Sequence, residues 1–206
     1  MINKKKNNMG KKTLALIMFL VAFGYTMAQV SRKSVSNLIS PCVIAKDVNK
    51  YRNYIIRYSD SIIRTADQRR GTSDMCAYVL IDSLKNKLVA TDDTTYMGLI
   101  ERLCQSNRKL GGIVDIYTVT NQLLADKYTL FMNYAYQKRS KTLTCAIADA
   151  ISNNVSNEGD EKTRNRLLGE EVSYLRTQAK KAGYSKKKME FIEIEIIKKI
   201  DPNKFD

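Results

Sequence analysis

The sequence predicts an all-α, single-domain bundle of five to six principal helices after an N-terminal signal segment, and three features carry that expectation. Proline occurs twice, at Pro41 and Pro202, and glycine nine times in 206 residues, so turn signals are sparse and far apart. Apolar residues recur at steps of three and four along most of the chain, the spacing of a helical face turned toward a partner. No internal repeat or low-complexity linker divides the sequence.

Residues 1–28 read as a secretory signal peptide and residues 29–206 as the helical domain. Lys4, Lys5, Lys6, Lys11 and Lys12 form a basic front, Leu14 to Phe23 an apolar centre of ten residues, and Thr26 and Ala28 stand where a signal peptidase inspects the chain. Cleavage is expected after Ala28, and Met9 offers a second start that keeps a basic MGKK front. The alternative is a retained single-span anchor, for which about 20 apolar residues are needed. Both readings place the domain outside the cytoplasm, periplasmic or secreted in the first case and anchored in the second.

The basic front leaves with the signal, so the charge of +14 falls to +9, from 30 basic and 21 acidic residues. A field of that sign attracts anionic surfaces, although interspersed Lys and Arg also describe an ordinary solvated helical surface.

The segment VSRKSVSNLIS reads as a short helix stopping before Pro41, because the residue before a proline is pushed out of the helical region. Ile44, Val48, Tyr51, Ile55, Tyr58 and Ile62 then form an apolar seam along one long helix. Lys50, Arg57 and Arg64 repeat every seven residues beside it, a candidate anion-contacting stripe. Gly71 closes that helix, and a second over about 73–89 is apolar on most sides and so central. Asp92 or Asp93 caps a third helix that runs to Gly111 and Gly112.

Residues 113–120, IVDIYTVT, carry the β-branched composition of a strand, yet the apolar set from Ile113 to Ala135 fits one helix over 113–139. Further helices follow over 141–153, along Leu168, Val172, Leu175 and Ala179, and from Ser185 onward; NNVSNEGDEK is the surface loop between the first two. Alternation at Ile192, Ile194 and Ile196 leaves a strand as the alternative over 191–197.

Missing side chains constrain the chemistry. With no His, the usual general base, the His-dependent triads and most zinc sites are unavailable. No phosphate loop, cofactor motif or metal-ligating cluster appears, so no catalytic, cofactor or metal residue is assigned. Two carboxylates suffice for glycoside hydrolysis, and Asp92 with Asp93 and Glu170 with Glu171 are the visible doublets. The first reads as a helix start and the second as an exposed helix face. Asp60-Ser61-Ile62, Asp82-Ser83-Leu84 and Asp93-Thr94-Thr95 resemble the short O-glycosylation signal of exported proteins in Bacteroidota-type bacteria, and only the third lies outside the expected helices.

Four cysteines, Cys42, Cys76, Cys104 and Cys145, stand 28 or more residues apart, too far for a zinc or redox pair motif. In an oxidising compartment they are disulfide candidates. Cys76 and Cys104 are equidistant from residue 90, so a hairpin of the second and third helices predicts Cys76 to Cys104 and leaves Cys42 to Cys145. The alternative is four buried free thiols.

These readings combine into an exported, non-enzymatic helical binding protein of the bacterial cell envelope. Its expected partner is another envelope protein or an anionic surface, with no genomic nucleic acid, and with membrane contact only through residues 13–29 if these stay uncleaved. Oligomeric state is not set by the sequence. Three alternatives stand beside it: a component of a conjugative transfer or secretion apparatus, similar to helical minor pilus subunits in size, export and helicity; a basic periplasmic chaperone or anionic-polymer binder, similar to helical envelope chaperones in charge and helicity; and a peptidoglycan hydrolase.

Overall fold

Helix boundaries in this chain are set by side chains that compete for backbone groups. The computed structural model describes residues 38–67, 73–112, 114–156 and 159–204. The signal segment lies outside these, as does the short helix expected before Pro41 apart from residues 38–40, which are not helical. Among the described residues there are nine α-helices and no strand, so the all-α class holds and the strand alternatives at 114–120 and 191–197 fall away. The number of helices exceeds five to six because the apolar pattern after Pro41 holds seven helical stretches and two of them, the first and the fourth, are each broken.

The first break follows α1 (Pro41–Lys46), which starts on Pro41, where a missing N–H is harmless. The Asp47 carboxylate accepts the Lys50 N–H at 3.1 Å, offering the chain a turn in place of a helix. α2 (Arg52–Asp67) begins afresh and carries one non-helical residue, Tyr58 (φ −122°, ψ 22°). Ile44, Val48, Ile55 and Ile62 are buried as the seam requires, but two helices and a turn supply them.

α3 (Ser73–Thr91) is central, packing against α1, α2, α4 and α5. Ala77, Leu80, Ile81, Leu84 and Leu88 are its buried face, while Met75 and Val79, expected inside, are exposed. Its buried Lys85 ammonium is satisfied by Asp82, 2.7 Å away, and by the Gln122 amide oxygen of α5. Asp93 caps α4 (Thr94–Lys109), accepting from the Thr95 N–H at 2.8 Å. α4 ends at Gly111 and Gly112, whose φ of +88° and +78° only glycine adopts without strain.

Residues 114–116 then run without regular structure, and their backbone is held by a side chain. The buried Asn107 amide donates to the Val114 carbonyl at 2.7 Å and accepts its N–H at 2.8 Å. The second break separates α5 (Tyr117–Asp126) from α6 (Tyr128–Lys138) at Lys127 (φ −137°, ψ 38°), where one helix over 113–139 was expected. It aims Tyr128 into the core, with its hydroxyl donating to the Leu175 carbonyl at 2.9 Å and its ring stacked on Tyr184. The Lys127 ammonium is drawn outward to Asp92 at 2.8 Å.

α7 (Lys141–Ser156) is a second central helix that the sequence reading did not single out, touching α4, α5, α6, α8 and α9. Ala146, Ala148, Ala150 and Ser152 are small enough for neighbours to approach closely, and all are buried. Asp160 caps α8 (Glu161–Lys181) through the Thr163 N–H at 2.8 Å. Gly183, at φ +65°, ends it in a Schellman motif, with the Tyr184 N–H reaching the Ala179 carbonyl at 3.1 Å. α9 (Lys186–Glu195) follows and buries Ile192, and a single 3₁₀ turn, Ile197–Lys199, leads to a tail pinned on α7. There the Asp201 N–H donates to Ser152 at 3.0 Å and the Ser156 hydroxyl to the Pro202 carbonyl at 2.8 Å.

Candidate functional site

Lys50, Arg57 and Arg64 are all exposed. The break before α2 leaves Lys50 in the turn, so the heptad row is not carried by one continuous helix. What the sequence reading did not pick out is the set of rings between these cations. Tyr51, Tyr54 and Tyr58 are half-buried and contiguous, with ring centroids 6.5 Å apart edge-on and then 4.7 Å apart tilted. The Lys50 ammonium lies 5.4 Å from the Tyr51 ring and the Arg57 guanidinium 5.4 Å from the Tyr58 ring, within the range of cation–π attraction. Ile56, on α2 itself, is 40 % exposed. Among the described residues no carboxylate forms a salt bridge with any of the three cations.

Neighbouring charges have structural work. Arg52 bonds Thr95, lies 3.7 Å from Asp93 and covers the Tyr96 ring, tying α2 to the capped start of α4. Asp60 accepts from Lys109 at 2.7 Å and Ser106 at 2.6 Å, and these bonds, Lys109 first, hold its carboxyl below the usual range. The face that remains is amphipathic and cationic. It offers aromatic surface and positive charge, with no activated nucleophile in it.

The carboxylate doublets are partly committed elsewhere. Asp93 caps α4 and its carboxyl is lowered chiefly by hydrogen bonds from Thr95, and Asp92 pairs with Lys127. Glu170 pairs with Arg166 at 2.5 Å, while half-buried Glu171 is pushed up by burial and borders a shallow groove with Asn121, Asn154 and Tyr174. Thr94, the acceptor of the third glycosylation-like triplet, is exposed but opens α4 instead of lying in a loop. A cleft of about 490 Å³ lies where the end of α4, the Gly111-Gly112 turn and α7 meet, bordered by Cys104, Arg108, Asp115, Tyr117, Asp149 and Lys204. Lys204 pairs with Asp149 across it. No group of three or more metal-ligating side chains occurs among the described residues.

The cysteines correct the expected pairing. Cys76 is bonded to Cys42, with Cα atoms 4.7 Å apart, and Cys104 and Cys145 are free thiols. α3 and α4 do pack on each other, as the expected hairpin requires. Facing is what fails. Cys76 lies on the side of α3 that α1 covers, next to exposed Met75 and Val79, whereas Cys104 is buried beside the cleft. Burial pushes the Cys104 thiol up to about 12, which keeps it protonated and inert at neutral pH. The disulfide is compatible with an oxidising compartment. No described helix is long and apolar enough to cross a membrane.

No family model, curated protein or solved structure matches this chain.

Proposed function

We propose that this is an exported, non-enzymatic binding protein of the cell envelope, and that it holds an acidic partner protein on the α2 face built from Tyr51, Tyr54, Tyr58, Lys50, Arg57 and Arg64. The observation that carries the reading is the contiguous row of half-exposed tyrosines flanked by cations that form no salt bridge among the described residues, only Arg64 lying in the field of Asp60. Tyrosine and arginine supply much of the binding energy at protein interfaces, because their large rigid surfaces keep a polar end in reach of hydrogen bonds. Unpaired cations at the rim steer an acidic partner and select against a basic one. The Cys42–Cys76 bridge, which ties the helix before this face to α3, supports a site outside the cytoplasm.

A photoreactive residue in place of the exposed Ile56 tests the face in living cells. It should give a discrete crosslinked protein band that disappears in the K50Q/R57Q/R64Q background. With the isolated partner, the triple change should weaken binding about tenfold at low salt, roughly 0.5 kcal/mol per charge, and flatten the salt dependence while helicity is unchanged. An unaltered crosslink and an unaltered salt slope would return the row to solvated surface.

A further inference from the structure

The turn from α8 into α9 carries charge of one sign only. From Ser173 to Met189 the chain holds Arg176, Lys180, Lys181, Lys186, Lys187 and Lys188 and no acidic residue. Arg176 is consumed by Glu193, with bonds of 2.6 and 2.9 Å. Lys188 is turned inward, its ammonium 3.6 Å from the Tyr184 ring and bonded to Asn133, and burial lowers its pKa. Lys180, Lys181, Lys186 and Lys187 are exposed, and no carboxylate among the described residues forms a salt bridge with them. Lys186 and Lys187 also occupy the first turn of α9, which has no acidic residue and where the positive end of the helix dipole disfavours cations. The helix dipole gains nothing from placing them there.

We propose that this lysine elbow docks the protein electrostatically on an anionic lipid surface. Three features select a bilayer over other anions. None of the four exposed lysines lines the clefts bordered by Arg108, Asp92 or Glu171; the second of these adjoins the elbow only through Tyr128, Thr129 and Asn133, the partners of the inward-turned Tyr184 and Lys188. All four exposed cations are lysines, point charges suited to a field of phosphates and lacking the guanidinium fork that reads a single phosphate or carboxylate. The nearest aromatic ring, Tyr184, is stacked on Tyr128, covered by Lys188 and tied through its hydroxyl to the Thr129 carbonyl at 3.2 Å, so it offers no platform for bases. What remains is an exposed patch of four lysine charges, the kind of contact that anionic headgroups attract within a Debye length. This surface is separate from the α2 face and does not depend on it. It also adds to the sequence reading, which confines membrane contact to residues 13–29.

The test compares the full chain with K180Q/K181Q/K186Q/K187Q in sedimentation with phosphatidylcholine vesicles, with and without phosphatidylglycerol, at low and high salt. Residues 13–29 are common to both proteins, so the difference between them reads the elbow. The wild type should partition onto the anionic vesicles several hundredfold better than the variant, about fivefold for each lysine, and the gap should close at high salt. K50Q/R57Q/R64Q should bind these vesicles like the wild type, which keeps failure here distinct from failure of the α2 face. Equal partitioning of the elbow variant and the wild type would overturn the proposal. So would an equal loss of binding to single-stranded oligonucleotide, which would assign the elbow to polyanions in general. A second readout guards against a folding effect: K186Q/K187Q should melt at the wild-type temperature or above, and a clear drop would make the lysines structural and overturn the inference.

Discussion

Replacing Asn107 with alanine should lower the stability of the fold by about 2–4 kcal/mol, as much as truncating a buried leucine. Asn107 is only 3 % exposed, and its amide satisfies both the N–H and the carbonyl of Val114. Alanine leaves two buried backbone groups without a partner, at about 1–3 kcal/mol each. The adjoining cleft, bordered by both residues, admits some water and keeps the loss below the sum of two full penalties. Asn107→Asp separates the two bonds, because a carboxylate accepts the N–H but cannot donate to the carbonyl. It should fall between wild type and alanine, and recover on acidification when the carboxyl regains a proton to donate. Urea unfolding reads both variants, with the midpoint moving and the slope constant. A loss under about 0.5 kcal/mol for alanine would mean the loop has another anchor.

Removing the disulfide should cost about as much by a different route. Cys42 and Cys76 are 34 residues apart, and closing a loop of that length stabilises a fold by roughly 3–4 kcal/mol in the chain-entropy account. α1 is only six residues long, too short to hold its own helical structure, and is held on α3 by this bridge together with buried Pro41 and Ile44. C42S/C76S and the reduced wild type should unfold at the same, lower denaturant concentration. Cys104→Ala and Cys145→Ala should leave the response to reductant intact, since neither thiol is bonded. A wild type indifferent to reductant would mean that α1 is held by packing alone.

Where local chemistry decides a boundary, the sequence was legible. The Asp93 cap and the glycines at 111, 112 and 183 began or ended helices where such residues do so by mechanism, whereas Asp160, inside the expected surface loop, was not read as the cap of α8 that it is. The breaks at Asp47–Tyr51 and Lys127 were not, because neither contains proline or glycine and the three-four apolar spacing runs through both. At Asp47 a single side-chain bond decides against a helix, and at Lys127 the core draws Tyr128 one way while Asp92 draws the lysine the other. Residues 113–120 were ambiguous because β-branched composition does not show that 117–120 open α5 while Val114 bonds its backbone groups to the side chain of Asn107. The cleft beside it was therefore hidden too, since Asn107 reads in the sequence as an ordinary polar helix residue. The cysteine pairing failed because equal distance from a turn fixes height along a hairpin and says nothing of direction around each helix. The cation row was visible from its spacing, whereas the tyrosine row became a surface only when the turn before α2 set Tyr51 beside Tyr54.

Export into an oxidising compartment is the premise on which the proposed role as an envelope binding protein rests, and one measurement addresses it directly. Mass analysis of the chain isolated from its own cells, with thiols blocked and peptides mapped without reduction, reads the N-terminus and the cysteine pairing together. The account predicts a first residue at Gln29, a Cys42 to Cys76 crosslink, and blocked thiols at Cys104 and Cys145. A chain that begins at Met1 or Met9 with all four thiols blocked would contradict it.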